Sequence, residues 1–120
     1  MKETFLQRAK ENLKAAELLF DNGLYNASAN RAYYAAFHAA ITAIFSSGIL
    51  PDIDHRTVQT LFAEQFCNRR KILPSKYKSI LQDMQKIRND ADYKDGINKK
   101  LSKQQLKSAN EFLKIILEAI

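Results

Sequence analysis

The chain has 120 residues and a formal charge of +6, and 46% of its residues are hydrophobic. This length predicts a single domain over residues 1–120, since domains typically run to roughly 100–150 residues. Only three Gly and two Pro occur, so the chain lacks the turn-forming residues of a many-stranded β sandwich, and its apolar content argues against a disordered protein.

Two amphipathic helices are predicted in the first 50 residues. Apolar residues recur at intervals of three and four from Leu6 to Phe20, and Asp21-Asn22-Gly23 then supplies a stop. A second helix is predicted from about Asn26 to Ser47 and is apolar nearly all round, which is typical of a helix buried on several sides. Its alanine face would let another helix, from this chain or a second copy, approach closely.

The middle of the chain predicts a short third helix. Gly48 to Pro51 breaks the second helix, and Asp52 or Asp54 can cap the next one. The apolar positions of this third helix are Val58, Leu61, Phe62 and Phe66. The stretch from Cys67 to Pro74 is then predicted to be a basic connector.

Two long helices are predicted in the last part of the chain. Ser75 can cap a fourth helix that ends near Asp95-Gly96, and Ser102 can cap a fifth helix that reaches Ile120. No alternating strand pattern and no internal repeat is present. We therefore predict an all-α fold, an antiparallel up-and-down four-helix bundle with an additional short helix.

The positive charge belongs to the second half of the chain. Residues 1–60 contain six bases and six acids, whereas residues 61–120 contain thirteen bases and seven acids. This asymmetry is one footprint of a nucleic-acid or other acidic partner, although a small domain also needs net charge for solubility. Within it, Arg69, Arg70 and Lys71 can contact a phosphate backbone, or can simply form a solvated loop.

Several classes of site are missing from the sequence. It has no P-loop, no Gly-rich dinucleotide motif and no zinc motif, so no cofactor and no metal are predicted. Cys67 is the one cysteine; it cannot close an intrachain disulfide and has no partner in sequence that would activate it. No signal peptide or apolar stretch of about 20 residues is found, so we expect a cytoplasmic protein without a membrane span.

One candidate site lies on the second helix. Arg31 and His38 are seven residues apart, which places them two turns apart on one face with Tyr34 between them. An Arg that binds phosphate beside a His that moves a proton is the smallest set of groups that cuts RNA through its 2′-hydroxyl. The alternative is structural, since a His on so apolar a helix commonly donates a hydrogen bond inside the bundle.

The second candidate site lies at the end of the fourth helix. Arg88 and Asp92 stand at i and i+4, as do Asn89 and Tyr93, so two polar pairs lie side by side. An Asp that orients the guanidinium toward a phosphate, with a tyrosine hydroxyl alongside, is one interpretation. An exposed ion pair at a helix terminus is the other. His55, beside an aspartate at a helix start, is interpreted as a capping-region residue.

The segment from Asn30 to Ala40 (NRAYYAAFHAA), followed by His55 and then by Arg88 to Tyr93, resembles the HEPN domain family in order and spacing. The similarity covers residues 3 to 120 and is strongest to the stand-alone prokaryotic branch with AYYAxFHAA and terminal ADY segments. It implies a homodimeric helical bundle whose cleft binds RNA or nucleotide. Many members are metal-independent ribonucleases, and many are toxins neutralised by a nucleotidyltransferase encoded beside them, in some cases through adenylylation of a tyrosine.

The catalytic motif of that family is incomplete here. In catalytic members an Arg is followed after four to six residues by a His, whereas no His follows Arg88 and Asp92 stands nearest the expected position. The resemblance therefore implies roles for Arg88, Asn89 and Tyr93, but supplies no general base. A carboxylate beside an arginine is a poor proton donor at neutral pH, so Asp92 could replace His only as a base or with a strongly raised pKa. His38 is the other candidate for the missing imidazole.

The sequence thus predicts a toxin-like HEPN protein that binds RNA or nucleotide and is partnered by a nucleotidyltransferase. The predicted catalytic candidates are Arg88, Asn89, Asp92 and His38, and the predicted binding residues are Arg69, Arg70, Lys71, Tyr93 and Arg31. Metal-independent ribonuclease activity stays open, as does the alternative of a helical partner protein that binds the transferase without cleaving RNA.

Overall fold

The structure is a computed structural model that describes residues 2–69 and 71–120. Five α-helices form in these residues, α1 Lys2–Asp21, α2 Tyr25–Ser46, α3 His55–Phe62, α4 Ile80–Tyr93 and α5 Lys99–Ala119. A π-helix, Ala63–Arg69, continues α3, and a 3-10 turn, Ser75–Tyr77, precedes α4. The described residues contain no β-strand, and the predicted all-α fold is confirmed.

Helices α1 and α2 run antiparallel across a three-residue turn. The ring of Phe5 stacks on that of Phe45 at one end, and Ser28 Oγ donates a hydrogen bond to the Ala16 carbonyl oxygen near the other. The turn closes at Gly23, whose φ of +77° belongs to the left-handed region that favours glycine. The predicted stop after α1 is therefore confirmed.

Helices α4 and α5 complete the bundle, and their contacts with α2 show in which direction each one runs. Arg88 bonds Tyr34 while Asp92 bonds Asn30, so α4 is antiparallel to α2. Helix α5 runs parallel to α2, because residues 102 and 105 of α5 donate hydrogen bonds to the carbonyl oxygens of residues 25 and 29. Four long helices alternate in direction, which confirms the predicted antiparallel up-and-down bundle with an additional short helix.

Helix α2 lies at the centre of the bundle. Thirteen of its 22 residues are buried, as expected for a helix that is apolar nearly all round. Its buried alanines, which have no exposed surface, are Ala29, Ala32, Ala35, Ala36, Ala39, Ala40 and Ala43. Because helices of the same chain cover these alanines, the small face of α2 packs within the chain rather than against a second copy.

Two of the predicted helix caps are wrong. Ser75 does not cap α4 but begins the 3-10 turn, and α4 starts at Ile80. Ser102 does not cap α5 either, because it is buried and donates its hydroxyl proton to the Tyr25 carbonyl oxygen at 2.9 Å. Asn98 takes that place, and its Oδ1 accepts from the Leu101 backbone N–H at 2.8 Å.

The third helix starts as predicted, and the helical structure runs further than predicted because a π-helix follows α3. Of the two aspartates considered, Asp54 is the cap; its carboxylate accepts from the Thr57 backbone N–H at 2.9 Å, and this bond holds the pKa of Asp54 below its ordinary value. The predicted connector is shorter than expected, because Cys67 to Arg69 belong to the π-helix. Cys67 is buried, and that burial raises the pKa of its thiol.

Candidate anion-binding site

Arg88 of α4 directs its guanidinium group toward α2. Its Nη2 donates to the Tyr34 hydroxyl oxygen at 2.9 Å and its Nη1 donates to Asn89 Oδ1 at 3.0 Å. The side chain of Arg88 is only 14% exposed, so these bonds fix its position. A guanidinium carries five N–H donors, and here one N–H of each terminal nitrogen has no partner among the described residues.

Asp92 forms the ion pair that the i,i+4 spacing predicted. Its Oδ2 lies 3.2 Å from Arg88 Nε and also accepts a hydrogen bond from Asn30 Nδ2 at 2.8 Å. The Nε–H group itself is buried and does not meet the carboxylate in hydrogen-bond geometry. Asp92 is therefore a charge partner of Arg88. Asn89 also bonds Arg88, and not Tyr93, with which its i,i+4 spacing had paired it.

Three tyrosine rings surround the Arg88 guanidinium. The distances from Arg88 Cζ to the ring centroids are 5.9 Å for Tyr33, 5.3 Å for Tyr34 and 5.9 Å for Tyr93. Each falls within the range of a cation–π contact, which holds the cation without occupying its N–H donors. Tyr93 is 75% exposed, so its ring forms the solvent side of the site.

His55 reaches the same site from the start of α3. Its Nδ1 lies 2.6 Å from the Tyr33 hydroxyl oxygen, which also accepts a hydrogen bond from Gln59 Nε2 at 3.3 Å. Because that oxygen receives the amide proton, we assign the tyrosine proton to the bond toward Nδ1. His55 then carries its own proton on Nε2.

The charge state of this pair follows from its surroundings. Burial raises the pKa of Tyr33 to about 12, so the phenol keeps its proton. Burial lowers the pKa of His55 below its ordinary value, the positive charge of Arg88 lowers it further, and Asp54 opposes the shift. The imidazole is therefore neutral at neutral pH. The sequence interpretation of His55 as a capping residue missed this contact, since only the fold brings residue 55 to residue 33.

Arg31 and His38 also come together, although not directly. Asn12 of α1 lies between them; its Oδ1 accepts from Arg31 Nη1 at 3.3 Å and its amide nitrogen lies 3.3 Å from His38 Nδ1. The amide nitrogen is a donor, so Nδ1 of His38 is the acceptor and the ring proton is on Nε2. Burial lowers the pKa of His38, and the charge of Arg8 adds to the shift.

Tyr34 lies between the two imidazoles. Its ring centroid is 6.2 Å from that of His38 and 6.1 Å from that of His55. In both histidines the basic nitrogen already accepts a hydrogen bond, and the other nitrogen is an N–H donor. The site therefore contains a guanidinium and neutral N–H donors, a combination that suits an anionic ligand.

A comparison with family models decides the classification. The HEPN domain model matches residues 2–120. This chain belongs to the HEPN domain family. The resemblance seen in the sequence is thereby confirmed, and the HEPN chain has its two imidazoles on α2 and α3 rather than after Arg88 on α4.

Three relatives resemble this HEPN chain. One, from Methanocaldococcus jannaschii, bears the name "Putative toxin MJ0605" and is 35% identical over 76% of this chain and 66% of its own length. A UPF0332 protein of Gloeobacter violaceus is 28% identical over 97% of this chain and 93% of its own length. A UPF0332 protein of Pyrococcus horikoshii is 38% identical over 55% of this chain and 46% of its own length. The chain thus matches slightly less than two thirds of the first relative.

The predicted basic connector makes no ion pair or hydrogen bond with Arg88 among the described residues. Arg69 is exposed, with its Nε 4.0 Å from Glu64 Oε1. Lys71 is exposed and lines, together with Lys78, an open cavity of about 540 Å³. Arg70, the third predicted binding residue of this stretch, lies outside the described residues. Arg69 and Lys71 therefore carry exposed positive charge that takes no part in the contacts of Arg88 given above.

Two further findings concern residues 2–69 and 71–120. No group of three or more His, Cys, Asp or Glu side chains in these ranges is placed to hold a metal ion. None of the helices in these ranges has both the length and the apolar character that a membrane crossing requires.

Proposed function

We propose that this HEPN protein binds the phosphate groups of RNA or of a nucleotide at Arg88 and acts as a toxin-like component of a two-gene module. The observation that carries the proposal is the fixed guanidinium of Arg88. It is held by Tyr34 and Asn89 and still has N–H groups to offer a ligand. A pre-positioned guanidinium binds phosphate oxygens with geometric specificity, since its planar fork matches two oxygens at once.

The imidazoles near Arg88 are hydrogen-bonded in a way that supports ligand binding rather than RNA cleavage. Cleavage of RNA through its 2′-hydroxyl needs a base that accepts the hydroxyl proton. Nδ1 of His55 and Nδ1 of His38 both accept hydrogen bonds already, so neither imidazole offers a free basic nitrogen in this arrangement. Asp92 is paired with Arg88 and accepts a hydrogen bond from Asn30, so in this arrangement its carboxylate is an acceptor rather than a proton donor.

Metal-independent ribonuclease activity is the second candidate. It is favoured by the position of His55, which shares the rings of Tyr33 and Tyr34 with Arg88 and so brings an imidazole to the site. To act as a base through Nε2, His55 would have to move its proton to Nδ1. Substrate binding would then have to rearrange the bond between Tyr33 and His55.

The proposed partners follow from the family. The relative from Methanocaldococcus jannaschii carries a toxin name, which supports a toxin-like role for this chain. We therefore propose a homodimer that forms a complex with a nucleotidyltransferase antitoxin in the cytoplasm. A helical partner protein without ligand or activity is the competing function. Co-expression with the product of the neighbouring gene, followed by light scattering of the purified proteins, tests for the complex and measures both stoichiometries.

The experiment that tests the function compares Arg88→Gln with Lys107→Gln. Lys107 is an exposed cation on α5, and its replacement by Gln removes the same charge away from the site. Fluorescence anisotropy with a labelled short RNA, in chelator, should show binding by the wild type and by Lys107→Gln and a loss of about tenfold or more in Arg88→Gln. Equal affinities for all three proteins would refute binding at Arg88. Gel analysis of the same samples reports cleavage, and cleavage that requires His55 would favour the ribonuclease.

A further inference from the structure

A second cationic side chain, Arg31, lies on α2 in a strip formed by Asn30, Arg31 and Tyr34, and the other two residues of this strip contact the Arg88 site. The residue before it, Asn30, bonds Asp92, and Tyr34 bonds Arg88 one turn later, about 6 Å further along the helix axis. Arg31 itself points to the other side of this strip, toward α1, where Asn12 accepts its hydrogen bond at 3.3 Å. The strip thus has one guanidinium on each side.

The two arginines differ in how their charge is compensated. Arg88 has the carboxylate of Asp92 at 3.2 Å, so the pair is formally neutral. Arg31 is exposed, its partner Asn12 is neutral, and no carboxylate of the described residues lies within 4.0 Å of it. The net attraction for an anion on this strip therefore comes mainly from Arg31.

Asn12 and His38 shape the surroundings of Arg31. The amide of Asn12 joins both side chains, with contacts of 3.3 Å to Arg31 Nη1 and 3.3 Å to His38 Nδ1. These bonds hold the arginine near the half-buried imidazole, whose Nε2–H is a further donor. Tyr34, 6.2 Å from the His38 ring, connects this group to the Arg88 site.

We propose that Arg31, Asn12 and His38 form a second phosphate subsite, and that the ligand of this protein is an oligonucleotide rather than a nucleoside monophosphate. The inference rests on the proposed function, because it assigns the first phosphate to Arg88. A nucleoside monophosphate has one phosphate group and leaves Arg31 unused. A chain with successive phosphates can place one at each arginine along the strip of α2.

The two subsites have different roles. Arg88 is oriented by its neighbours and neutralised by Asp92, so it fixes the position of a phosphate. Arg31 supplies uncompensated charge, so it releases counterions on binding and makes the affinity depend on salt. Each phosphate contact on a single strand contributes about 0.7 to the slope of log affinity against log salt concentration.

Arg31→Gln tests the subsite with two probes, uridine monophosphate and a short oligouridylate, measured by calorimetry and anisotropy across a salt series. We expect Arg31→Gln to bind the oligonucleotide about tenfold more weakly, with a salt slope reduced by about 0.7, and to weaken binding of the monophosphate far less, because a single phosphate at Arg88 does not contact Arg31. Arg31→Lys keeps the charge and should keep the slope. Lys107→Gln is the control for the loss of one distant cation.

The outcomes separate the two proposals. If Arg88→Gln abolishes binding while Arg31→Gln equals Lys107→Gln, the function at Arg88 stands and the second subsite is refuted. A wild type that binds monophosphate as tightly as the oligonucleotide also refutes the subsite. If the wild type binds neither probe, the proposed function fails, and the inference fails with it. Thermal unfolding of Arg31→Gln, an exposed position, verifies that the variant folds.

Discussion

The hydroxyl oxygen of Tyr33 lies 2.6 Å from Nδ1 of His55, across a separation of 22 positions in the sequence. Burial raises the pKa of this tyrosine to about 12, so the phenol is the proton donor of the pair. The bond joins α2 to the start of α3 and determines which nitrogen of the imidazole carries the N–H group. Whether His55 can act as a base therefore depends on Tyr33.

The first prediction concerns the tautomer of His55. In the wild type we expect the Nε2–H form, because Nδ1 accepts the tyrosine proton. Tyr33→Phe removes that donor and should give a mixture of both neutral tautomers, together with a loss of about 1 kcal/mol in the free energy of unfolding. Two-bond nitrogen–proton NMR correlations of the imidazole distinguish the two forms directly.

Tyr77→Phe is the control for the loss of a tyrosine hydroxyl at another buried tyrosine of the chain. Tyr77 lies in the 3-10 turn and packs against Phe112, away from His55. This variant should leave the His55 signals unchanged. An Nδ1–H tautomer in the wild type would contradict the proton assignment and would make His55 a candidate base.

The second prediction concerns stability in mild acid. Burial lowers the pKa of both His38 and His55 in the folded protein, whereas in the unfolded chain each imidazole has its ordinary pKa of about 6.5. Below that pH the unfolded chain takes up protons that the folded protein resists. The free energy of unfolding should therefore be fully developed above about pH 6.5 and should decrease as the pH falls below it.

Urea unfolding across a pH series measures this dependence. The double variant His38→Gln, His55→Gln removes both imidazoles and should flatten the profile between about pH 6.5 and pH 5, where carboxylates hardly titrate. A wild-type stability that rises on acidification in this range would contradict the lowered pKa values. It would mean that the folded protein binds these protons more tightly than the unfolded chain does.

The long helices could be predicted from the sequence because their pattern is local. The stop at Gly23 and the cap at Asp54 need only neighbouring residues. The predictions that were wrong concern positions whose role is set by tertiary contacts. Ser102 is a good capping residue, but the packing of α5 on α2 buries it and pairs it with a carbonyl of α2. The π-helix after α3 has no local sequence pattern that could have revealed it.

The candidate site was predictable only where its contacts lie within one helix. The pairing of Arg88 with Asp92 follows from the i,i+4 spacing and is present. Tyr33 and Tyr34 lie on an apolar stripe, so the sequence favours a core role and does not reveal their contacts with Arg88. The link from His38 to Arg31 runs through Asn12, a residue of α1 that no motif marks.

The third prediction concerns Gly96, which lies in the turn before α5. Its φ is +94°, and a Cβ there would lie 2.9 Å from Asn26 Nδ2. Asn26 Oδ1 accepts the Ile97 backbone N–H at 2.9 Å, so Gly96→Ala should strain the backbone and disturb this bond. Gly23→Ala, with φ +77° and nothing within 4 Å, is the control for strain alone.

We expect both substitutions to lower the free energy of unfolding, each by roughly 1–2 kcal/mol for the left-handed conformation. Gly96→Ala should cost about 1 kcal/mol more, because it also displaces a hydrogen-bonded side chain. Chemical denaturation measures the difference. Equal losses in the two variants would show that Asn26 moves aside without cost.

The fourth prediction concerns Asp92, which was considered as a replacement for the missing catalytic histidine. Asp92→Asn keeps the size of the side chain and removes the charge that lies 3.2 Å from Arg88 Nε. If Asp92 only offsets the arginine, phosphate should bind about fivefold more tightly, which corresponds to roughly 1 kcal/mol for unit charges 4 Å apart in water. Calorimetry with a short RNA measures the change.

Asp83→Asn removes the same charge on α4, from a carboxylate that accepts a hydrogen bond from Ser79, and is the matched control. It should leave the RNA affinity nearly unchanged, so a gain in Asp92→Asn alone is local to Arg88. Weaker binding by Asp92→Asn would show that orientation of the guanidinium by the carboxylate outweighs its charge. Loss of RNA cleavage in Asp92→Asn with affinity retained would instead make Asp92 the base, because only a proton-transfer role is lost without loss of binding.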